Sequence, residues 1–428
     1  MRLGELADEE AYFADREQEL AYRLERSGYS RRQLLKAGAG GVALLAGLGR
    51  LASPQVARAA THAAAASPIL KPLPPEWFIN YGSNAEMRWD AAHQLGYRIP
   101  NGRFFVRDHT ATPLIDSRTW QLRVFGSGLR GAPSVDKAVT FDLKKLRSLP
   151  AREVQAFIEC AGNGRSFFAK QQNTPASGTQ WGLGAVGVAR WRGVPLSEVL
   201  DRAGIRRGAV DVMPQGLDNT VVTNGVDSGH VRRPLPVSKA LDDVLLAYEM
   251  NGKPLPPDHG HPLRLVVPGW VGVASIKWLG QIEVSTQPLF SPWNTTQYKL
   301  VGPSYANQPP LTTQAVKSAF ELPWNASLAA GRRHELSGRS WSGKAPIRRV
   351  EVSTDGGATW RKARLSGPNL PTAWVRWDFP WQPTRSGSYT LQARATDRAG
   401  RTQPFAVPFN TGGYLFWAVV KHPVVVTA

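Results

Sequence analysis

The alternation of apolar and polar positions divides the chain into two folded parts joined by a polar linker. In residues 77–285, short apolar runs alternate with candidate helices and glycine turns, which predicts an α+β domain. Residues 286–315 are rich in Pro, Ser, Thr and Asn without periodicity, so they predict a linker that follows the surface. Residues 316–428 contain short alternating runs at regular spacing, which is typical of an all-β immunoglobulin-like sandwich.

Periodicity and turn residues also predict individual elements. The apolar run at 154–158 predicts a strand that ends in a tight turn. Helical patterns cover residues 195–203, ending at Gly204, and residues 238–250, ending before an Asn-Gly pair. Three alternating runs predict strands of the second part, at residues 349–353, 374–379 and 389–395.

Residues 1–66 predict a twin-arginine export signal followed by a spacer. The run SRRQLLK at 30–36 precedes an apolar stretch at 37–52 and a small-residue cleavage site at 57–59. The apolar stretch is shorter and richer in glycine than a membrane span of about 20 residues, although a single uncleaved anchor is the alternative. We therefore expect the chain in the periplasm or at the extracytoplasmic face, soluble after cleavage or peripherally anchored.

Charge is the next constraint, because the chain has 52 Lys and Arg against 33 Asp and Glu, a formal net charge of +19. The basic residues are scattered, with no lysine-rich arm and no recognition-helix pattern, so nucleic acid is not the expected partner. An anionic small substrate or an acidic protein partner explains this charge better, with envelope polyanions as an alternative.

Cys160 is the only cysteine in 428 residues. A lone thiol forms no intrachain disulfide and no multi-cysteine metal cluster, which leaves a nucleophile, a single metal thiolate or a buried core residue. Cys160 follows the predicted strand at 154–158 and precedes the sequence Ala-Gly-Asn-Gly, which predicts a tight turn. This position at the end of a strand favours a functional thiol over a core residue.

Four segments together resemble the sulfite oxidase family of molybdenum enzymes. They are CAGN at 160–163, DHGHPLR at 258–264, PGWVG at 268–272 and SIKW at 275–278. The resemblance covers essentially the whole chain after the export signal. It implies a molybdopterin-binding catalytic domain followed by an immunoglobulin-like dimerisation domain. It also implies one molybdenum–molybdopterin per chain, with Cys160 as the thiolate ligand of the metal.

The resemblance assigns further residues to the site. The segment FVRDH at 105–109 is similar to a family stretch in which the arginine faces the substrate and its neighbours hold the pterin, which implies these roles for Phe105, Arg107 and His109. Asp108 replaces the asparagine that is usual there. Arg165 matches a second arginine of the anion pocket. The other implied contacts of the cofactor are Asp218, His259, Arg264, Ser275 and Lys277.

One departure concerns a tyrosine that many family members place beside the metal, in the loop before a Pro-Leu helix start. The corresponding loop at 228–236 contains no tyrosine. We therefore expect His230, Arg232 or Arg233 to supply its hydrogen bond to substrate or to an oxygen ligand.

The resemblance implies oxidation of sulfite to sulfate, with electrons passed to an external acceptor. The sequence has no Cys-x-x-Cys-His haem motif and no dinucleotide-binding Gly-x-Gly-x-x-Gly, so we expect no haem in this chain and a separate carrier, most simply a c-type cytochrome. A homodimer is implied only by the resemblance of the last domain.

Other functions stay open at the sequence level. Within the family, a sulfane-sulfur dehydrogenase or a sulfoxide reductase is the nearest alternative. Outside it, Cys160 with a histidine such as His259 is compatible with a hydrolase, and the sandwich with a non-catalytic envelope binding protein.

Overall fold

The computed structural model describes residues 68–223 and 226–428, so the predicted export signal lies outside the described residues. Strands β1 to β15 are Phe78–Asn80, Asn84–Met87, Val106–Arg107, Gln121–Phe125, Val139–Asp142, Arg152–Glu159, Val186–Pro195, Asp211–Gly216, Val222–Thr223, Val226–Asp227, Leu235–Pro236, Leu245–Met250, Lys253–Pro254, Arg264–Val266 and Leu279–Ser285. Strands β16 to β24 are Lys317–Phe320, Ala326–Ala329, His334–Trp341, Ile347–Ser353, Arg361–Lys362, Arg364–Ser366, Val375–Trp381, Gly387–Asp397 and His422–Thr427.

The α-helices are short. Helices α1 to α5 are Leu143–Arg147, Ser166–Gln172, Leu196–Ala203, Val237–Asp242 and Pro292–Thr295. Turns of 3-10 helix cover Trp89–Gln94, Asn101–Arg103, Val135–Lys137, Pro257–His259 and Gly272–Ala274. In the part of the chain that the structure describes, no helix combines the length and the apolar character needed to cross a membrane.

Two five-stranded sheets and their covering helices form the first part. One sheet has the order β11-β8-β15-β4-β5, in which β15 and β4 run parallel. The other has the order β13-β12-β7-β6, with β14 also paired to β12. Smaller sheets β1-β2-β3 and β9-β10 complete this part. The arrangement confirms the predicted α+β class.

The single cysteine directly follows strand β6, which is an edge strand of its sheet. Strand β6 pairs with β7 along its whole length, from Arg152 opposite Gly193 to Glu159 opposite Val186, and its last four residues are buried. A turn follows, and α2 begins at Ser166. The predicted strand and tight turn around the cysteine are therefore confirmed.

The second predicted helix, at residues 238–250, is wrong in its second half. Helix α4 ends at Asp242, and from Leu245 the segment is strand β12, which is mostly buried and pairs with β7 and β13. Asn251 and Gly252 have positive φ angles of 53° and 78° and connect β12 to β13 as a hairpin turn. An Asn-Gly pair favours this two-residue hairpin, so it marks a strand pairing here and not a helix end. The predicted helix at 195–203 is confirmed as α3.

The last part is a sandwich of two sheets, with the orders β16-β18-β22-β21 and β17-β24-β23-β19-β20. Residues from both sheets share one apolar core, which includes Val350, Trp377 and Leu391. The three predicted strands are β19, β22 and β23. The predicted all-β sandwich is thus confirmed.

Candidate active site

A cavity lies at the end of β6, beside the turn that carries the thiol. It is lined by nine of the residues expected at a cofactor site, namely Phe105, Arg107, His109, Cys160, Asp218, His259, Arg264, Ser275 and Lys277. These residues are far apart in the sequence, and folding brings them together around one cavity.

The backbone around Cys160 is fixed on both sides. The Cys160 amide donates to the Ala185 carbonyl at 2.9 Å, and the Asn163 amide donates to the Cys160 carbonyl at 2.9 Å. Gly164 has a φ of +90°, a conformation that L side chains rarely adopt. Cys160 is 7% exposed and lines the cavity. The turn therefore presents one buried thiol to the cavity.

Arg107 and His109 meet at a tyrosine hydroxyl. Arg107 Nη2 donates to Tyr298 Oη at 3.4 Å, and Arg107 Nη1 donates to Asn84 Oδ1 at 3.3 Å. His109 Nε2 lies 2.9 Å from Tyr298 Oη. Burial, together with the charge of Arg107, lowers the pKa of His109 well below its ordinary value. A neutral imidazole therefore shares this hydroxyl with a guanidinium.

Tyr298 comes from the linker and not from the loop at 228–236. It is 5% exposed, lines the cavity with Cys160, and stacks on Tyr414 with ring centroids 5.3 Å apart. Trp293, on α5, packs edge-on against His109 at 4.5 Å. The structure thus corrects the expectation that a basic side chain of the loop takes the place of the tyrosine. The only sequence signal was the presence of four aromatic residues, Tyr298 among them, in a linker that is otherwise mostly polar.

Two buried polar atoms in the cavity have no hydrogen-bond partner among the described residues, Asp218 Oδ1 and His259 Nε2. A buried polar atom is costly unless a ligand or water satisfies it. Burial raises the pKa of Asp218 to about 6, whereas burial and the nearby charges of Lys71 and Lys277 lower the pKa of His259 well below its ordinary value. An acceptor and a neutral ring of this kind fit a polar ligand with several hydrogen-bonding groups, as a pterin has.

Cations gather around His259. Burial lowers the pKa of Arg264 to about 9 and also lowers the pKa of Lys277. Lys277 Nζ donates to the Asp108 carboxylate and, at 2.7 Å, to the Asp258 carbonyl. Lys277 therefore balances the charge of the aspartate that replaces the usual asparagine. Since burial disfavours the charged form of each cation, an anionic group such as a phosphate would stabilise this region.

A short segment after the predicted export signal closes the wall behind these cations. The amides of Leu70 and Lys71 donate to the two carboxylate oxygens of Asp258, at 2.9 and 2.8 Å. Lys71 Nζ donates to the Phe104 carbonyl and lies 4.5 Å from the Phe78 ring centroid. Burial lowers the pKa of Lys71 to about 7. We call residues 69–71 the strap; no motif in the sequence predicted it.

Three expected site residues do not line the cavity. Arg165 Nε and Nη1 donate to the carbonyls of Gly412 and Thr179, both at 2.8 Å, and its guanidinium lies 5.3 Å from the Tyr414 ring centroid. His230 Nδ1 contacts the Asp218 carbonyl. These two residues therefore support the walls of the cavity through their neighbours.

Arg233 requires a correction. It is 1% exposed, and its guanidinium donates to the carbonyls of Trp293, at 2.6 Å, and Leu311. Both acceptors belong to the linker region. Arg233 thus anchors the linker that carries Tyr298 and does not face a substrate.

Comparison with known proteins places this site in a family. Residues 109–293 match the oxidoreductase molybdopterin binding domain, and residues 311–423 match the Mo-co oxidoreductase dimerisation domain. The chain is 36% identical over 330 residues to sulfite oxidase of Gallus gallus, covering 73% of this chain and 69% of that protein. It is 34% identical over 330 residues to mitochondrial sulfite oxidase of Mus musculus, and it spans 58% of the length of that relative.

A solved structure covers most of both chains. The sulfane dehydrogenase SoxCD of Paracoccus pantotrophus superposes with a TM-score of 0.69 at 27% identity, covering 88% of this chain and 94% of that one. Together with the matched domains and relatives, this likeness defines a molybdopterin-dependent oxidoreductase with a C-terminal dimerisation domain. The chain belongs to the sulfite oxidase family.

Molybdenum–molybdopterin is the cofactor of this fold, and the residues of the cavity fit it. The unsatisfied atoms of Asp218 and His259 suit the polar edge of a pterin, and the cations beside them suit its phosphate. Cys160 offers the soft anionic sulfur that such a metal accepts. The family and this donor set do not support the hydrolase or the non-catalytic binding protein that the sequence left open.

Proposed function

We propose that this chain oxidises sulfite to sulfate and passes the electrons to an external acceptor. The observation that carries the proposal is that a lone thiol, Cys160, lies in one cavity with Arg107 and Tyr298. The other residues that line this cavity suit a pterin and its phosphate. A thiol next to a guanidinium and a hydroxyl combines a metal ligand with groups that bind an oxyanion.

Each residue then has a defined role. Cys160 would ligate the metal, and Asp218, His259, Arg264 and Lys277 would hold the pterin and its phosphate. When bound, molybdenum–molybdopterin supplies the two-electron redox chemistry and the oxygen transfer.

The substrate side of the cavity belongs to Arg107. Its guanidinium attracts the dianion and orients the oxygens through charge-assisted hydrogen bonds. Tyr298 donates its hydroxyl proton to a substrate or product oxygen, and neutral His109 keeps that hydroxyl in place without adding charge. Burial of these groups strengthens their electrostatic effect on the reacting anion.

Electrons leave to a separate carrier in this proposal, most simply a c-type cytochrome. The net charge of +19 supports an acidic carrier, because opposite charges accelerate encounter at low salt. The dimerisation domain supports a homodimer. We also propose export by the twin-arginine route, on the strength of residues 30–36.

A second candidate is oxidation of a sulfane sulfur. The observation that favours it is the structural likeness to the sulfane dehydrogenase SoxCD, which covers 94% of that chain. Arg107 suits either substrate, since sulfite and a sulfane sulfur compound such as thiosulfate are both anions centred on sulfur. Activity assays must separate them.

The experiment measures steady-state turnover of sulfite, thiosulfate and methionine sulfoxide, with cytochrome c or ferricyanide for the oxidations and a reduced dye for the sulfoxide. We expect the highest kcat/KM with sulfite. Arg107→Gln should raise the KM for sulfite about 10- to 100-fold, the loss expected for a charge-assisted hydrogen bond. Arg118→Gln is the matched control, because its side chain is 88% exposed and does not line the cavity.

Two results would contradict the proposal. A preference for thiosulfate would transfer the assignment to the second candidate. An unchanged KM in Arg107→Gln would remove this arginine from the substrate side of the cavity. Cys160→Ser adds a direct test of the ligand, since we expect it to abolish oxidation while the fold survives.

A further inference from the structure

The residue directly before Cys160 is bonded across the domain boundary. Glu159 is fully buried, and its Oε1 lies 2.7 Å from Lys317 Nζ. Trp341 Nε1 donates to Glu159 Oε2 at 2.9 Å. Lys317 is on β16 and Trp341 is on β18, so both partners belong to the C-terminal sandwich. The thiol-bearing turn is therefore attached to a domain that does not line the cavity.

The same cluster holds the rest of the turn. Asn163 Nδ2 donates to Glu159 Oε1 at 2.9 Å, and Lys317 Nζ also donates to the Asn163 carbonyl at 3.1 Å. Gln314 Nε2, from the end of the linker, donates to the Glu159 carbonyl at 2.9 Å. The Leu415 amide donates to the Ala161 carbonyl at 2.8 Å. Backbone and side-chain groups on both sides of Cys160 are thus held from outside the catalytic domain.

Stability alone is a weak reason for such a cluster. Removing a carboxylate and an ammonium from water is costly, and apolar pairs of similar volume are often as stable. Here the Lys317 side chain is 6% exposed and the Glu159 side chain is 0% exposed. Both charged groups therefore lose nearly all of their hydration on folding. What the pair adds is a defined geometry, which is the usual contribution of groups that hold metal ligands in place.

We propose that Glu159, Lys317 and Trp341 are positioning residues that orient the Cys160 side chain toward the cofactor, so that the C-terminal domain is part of the cofactor site. This inference rests on the proposed role of Cys160 as the metal ligand. It gives the domain a task beyond dimerisation, because each protomer's own sandwich holds the turn that carries its thiol.

The chain offers a matched control pair. Glu321 and Arg339 form a second ion pair in which both side chains are 0% exposed. Arg339 Nη2 donates to the Ala92 carbonyl at 2.8 Å, so this pair also joins the sandwich to the first part. Its contacts are with the 3-10 helix at Trp89–Gln94 and its end, and not with the cysteine turn.

The test compares Lys317→Met with Arg339→Met in the full-length, cofactor-loaded protein. Both changes leave a buried carboxylate unpaired, so both should lower the Tm. The specific readout is the rate at which iodoacetamide alkylates Cys160, which is the only thiol in the chain and is protected while it is bound to metal. We expect Lys317→Met to raise this rate about tenfold or more, as for other groups that orient metal ligands, and Arg339→Met to leave it unchanged.

Two further variants complete the design. Trp341→Phe removes the indole N–H donor and keeps one aromatic ring, so it tests the same contact if Lys317→Met does not fold. Adding Glu159→Gln to Lys317→Met removes the unpaired charge, and we expect it to restore part of the protection. Molybdenum X-ray absorption on the same samples measures the sulfur ligation directly.

The outcomes separate the two proposals. Equal alkylation rates in Lys317→Met, Trp341→Phe and Arg339→Met would overturn the positioning role and leave the cluster purely structural. Rapid alkylation of Cys160 in the loaded wild-type protein would instead refute the ligand assignment itself, and the positioning role with it.

Discussion

Among single residues, Asp108 shows how one substitution is accommodated. It stands where the family segment usually has asparagine, and its buried carboxylate is paired with Lys277 and accepts a bond from Thr112 at 3.1 Å. Burial raises the pKa of Asp108, and Lys277 acts in the opposite direction. The pair keeps Lys277 in place beside His259. The extra negative charge is therefore balanced locally by Lys277.

Asp218 gives the cofactor site a pH dependence. Its pKa is raised from 3.8 to about 6 by burial, so in the protein without its ligand it is protonated below pH 6. The ionised form is the better acceptor for pterin N–H groups, so we expect cofactor retention to weaken as pH falls through about 6. Asp218→Asn should weaken retention at pH 7–8 and remove this dependence. Fluorescence of the oxidised pterin released between pH 5 and 8 measures both effects.

The matched control for this pH series is Asp227→Asn, since Asp227 is exposed on β10. It should follow the wild-type profile. A wild-type protein whose pterin release is flat between pH 5 and 8 would argue against Asp218 as the titrating acceptor.

Site residues that belong to short sequence motifs could be predicted, and site residues outside such motifs could not. Arg107, Cys160 and Lys277 each belong to a short motif, and all three line the cavity. Tyr298 was missed because it lies in a segment without periodicity. Arg233 was expected at the substrate because it lies in the loop at 228–236, although position in a loop does not decide which way a long side chain points.

At the level of elements, the strands were predicted more reliably than the second helix. Strand β12 has no strict alternation because its side chains are buried on both faces of the sheet, so its apolar run was compatible with either a helix or a strand. The deciding information was the turn chemistry of Asn251 and Gly252. Helix α3 was predicted correctly because Gly204, at a φ of 82°, ends it in the usual left-handed conformation.

The hairpin turn gives a stability prediction. Gly252→Ala places a side chain at a φ of +78°, with its Cβ 3.0 Å from Arg190 Nη2. We expect the free energy of unfolding to fall by about 1–2 kcal/mol, the usual cost of a left-handed conformation. Gly208→Ala is the control, because that position has open space and no positive φ; urea denaturation compares the two. A loss in Gly252→Ala no larger than in the control would contradict the hairpin assignment.

For the molecule as a whole, the predicted export route and the cofactor are connected. The twin-arginine route carries folded proteins, and a chain that is to bind a complex cofactor at a buried site suits a route of that kind. A single cysteine also means that no disulfide within the chain stabilises it in the predicted oxidising compartment, so its hydrophobic cores must do so.

Export is testable with a conservative double substitution. Arg31→Lys with Arg32→Lys keeps the charge but removes the twin arginines, so we expect the chain to accumulate in the cytoplasm. Arg23→Lys with Arg26→Lys is the control, because these arginines precede the motif and should not affect export. Cell fractionation with immunoblotting gives the result. Normal export of the first variant would exclude the twin-arginine route.

The strap has a practical consequence for anyone who handles this protein. Two main-chain amides of residues 69–71 occupy both oxygens of Asp258, the residue next to His259. Shortening the chain past this point, or fusing a bulky partner directly to it, would remove both main-chain donors of a buried carboxylate and leave it the Thr112 hydroxyl, at 2.7 Å. An expressed protein that begins a few residues after the strap would therefore have an altered cofactor site. Its low cofactor content would be mistaken for poor cofactor supply.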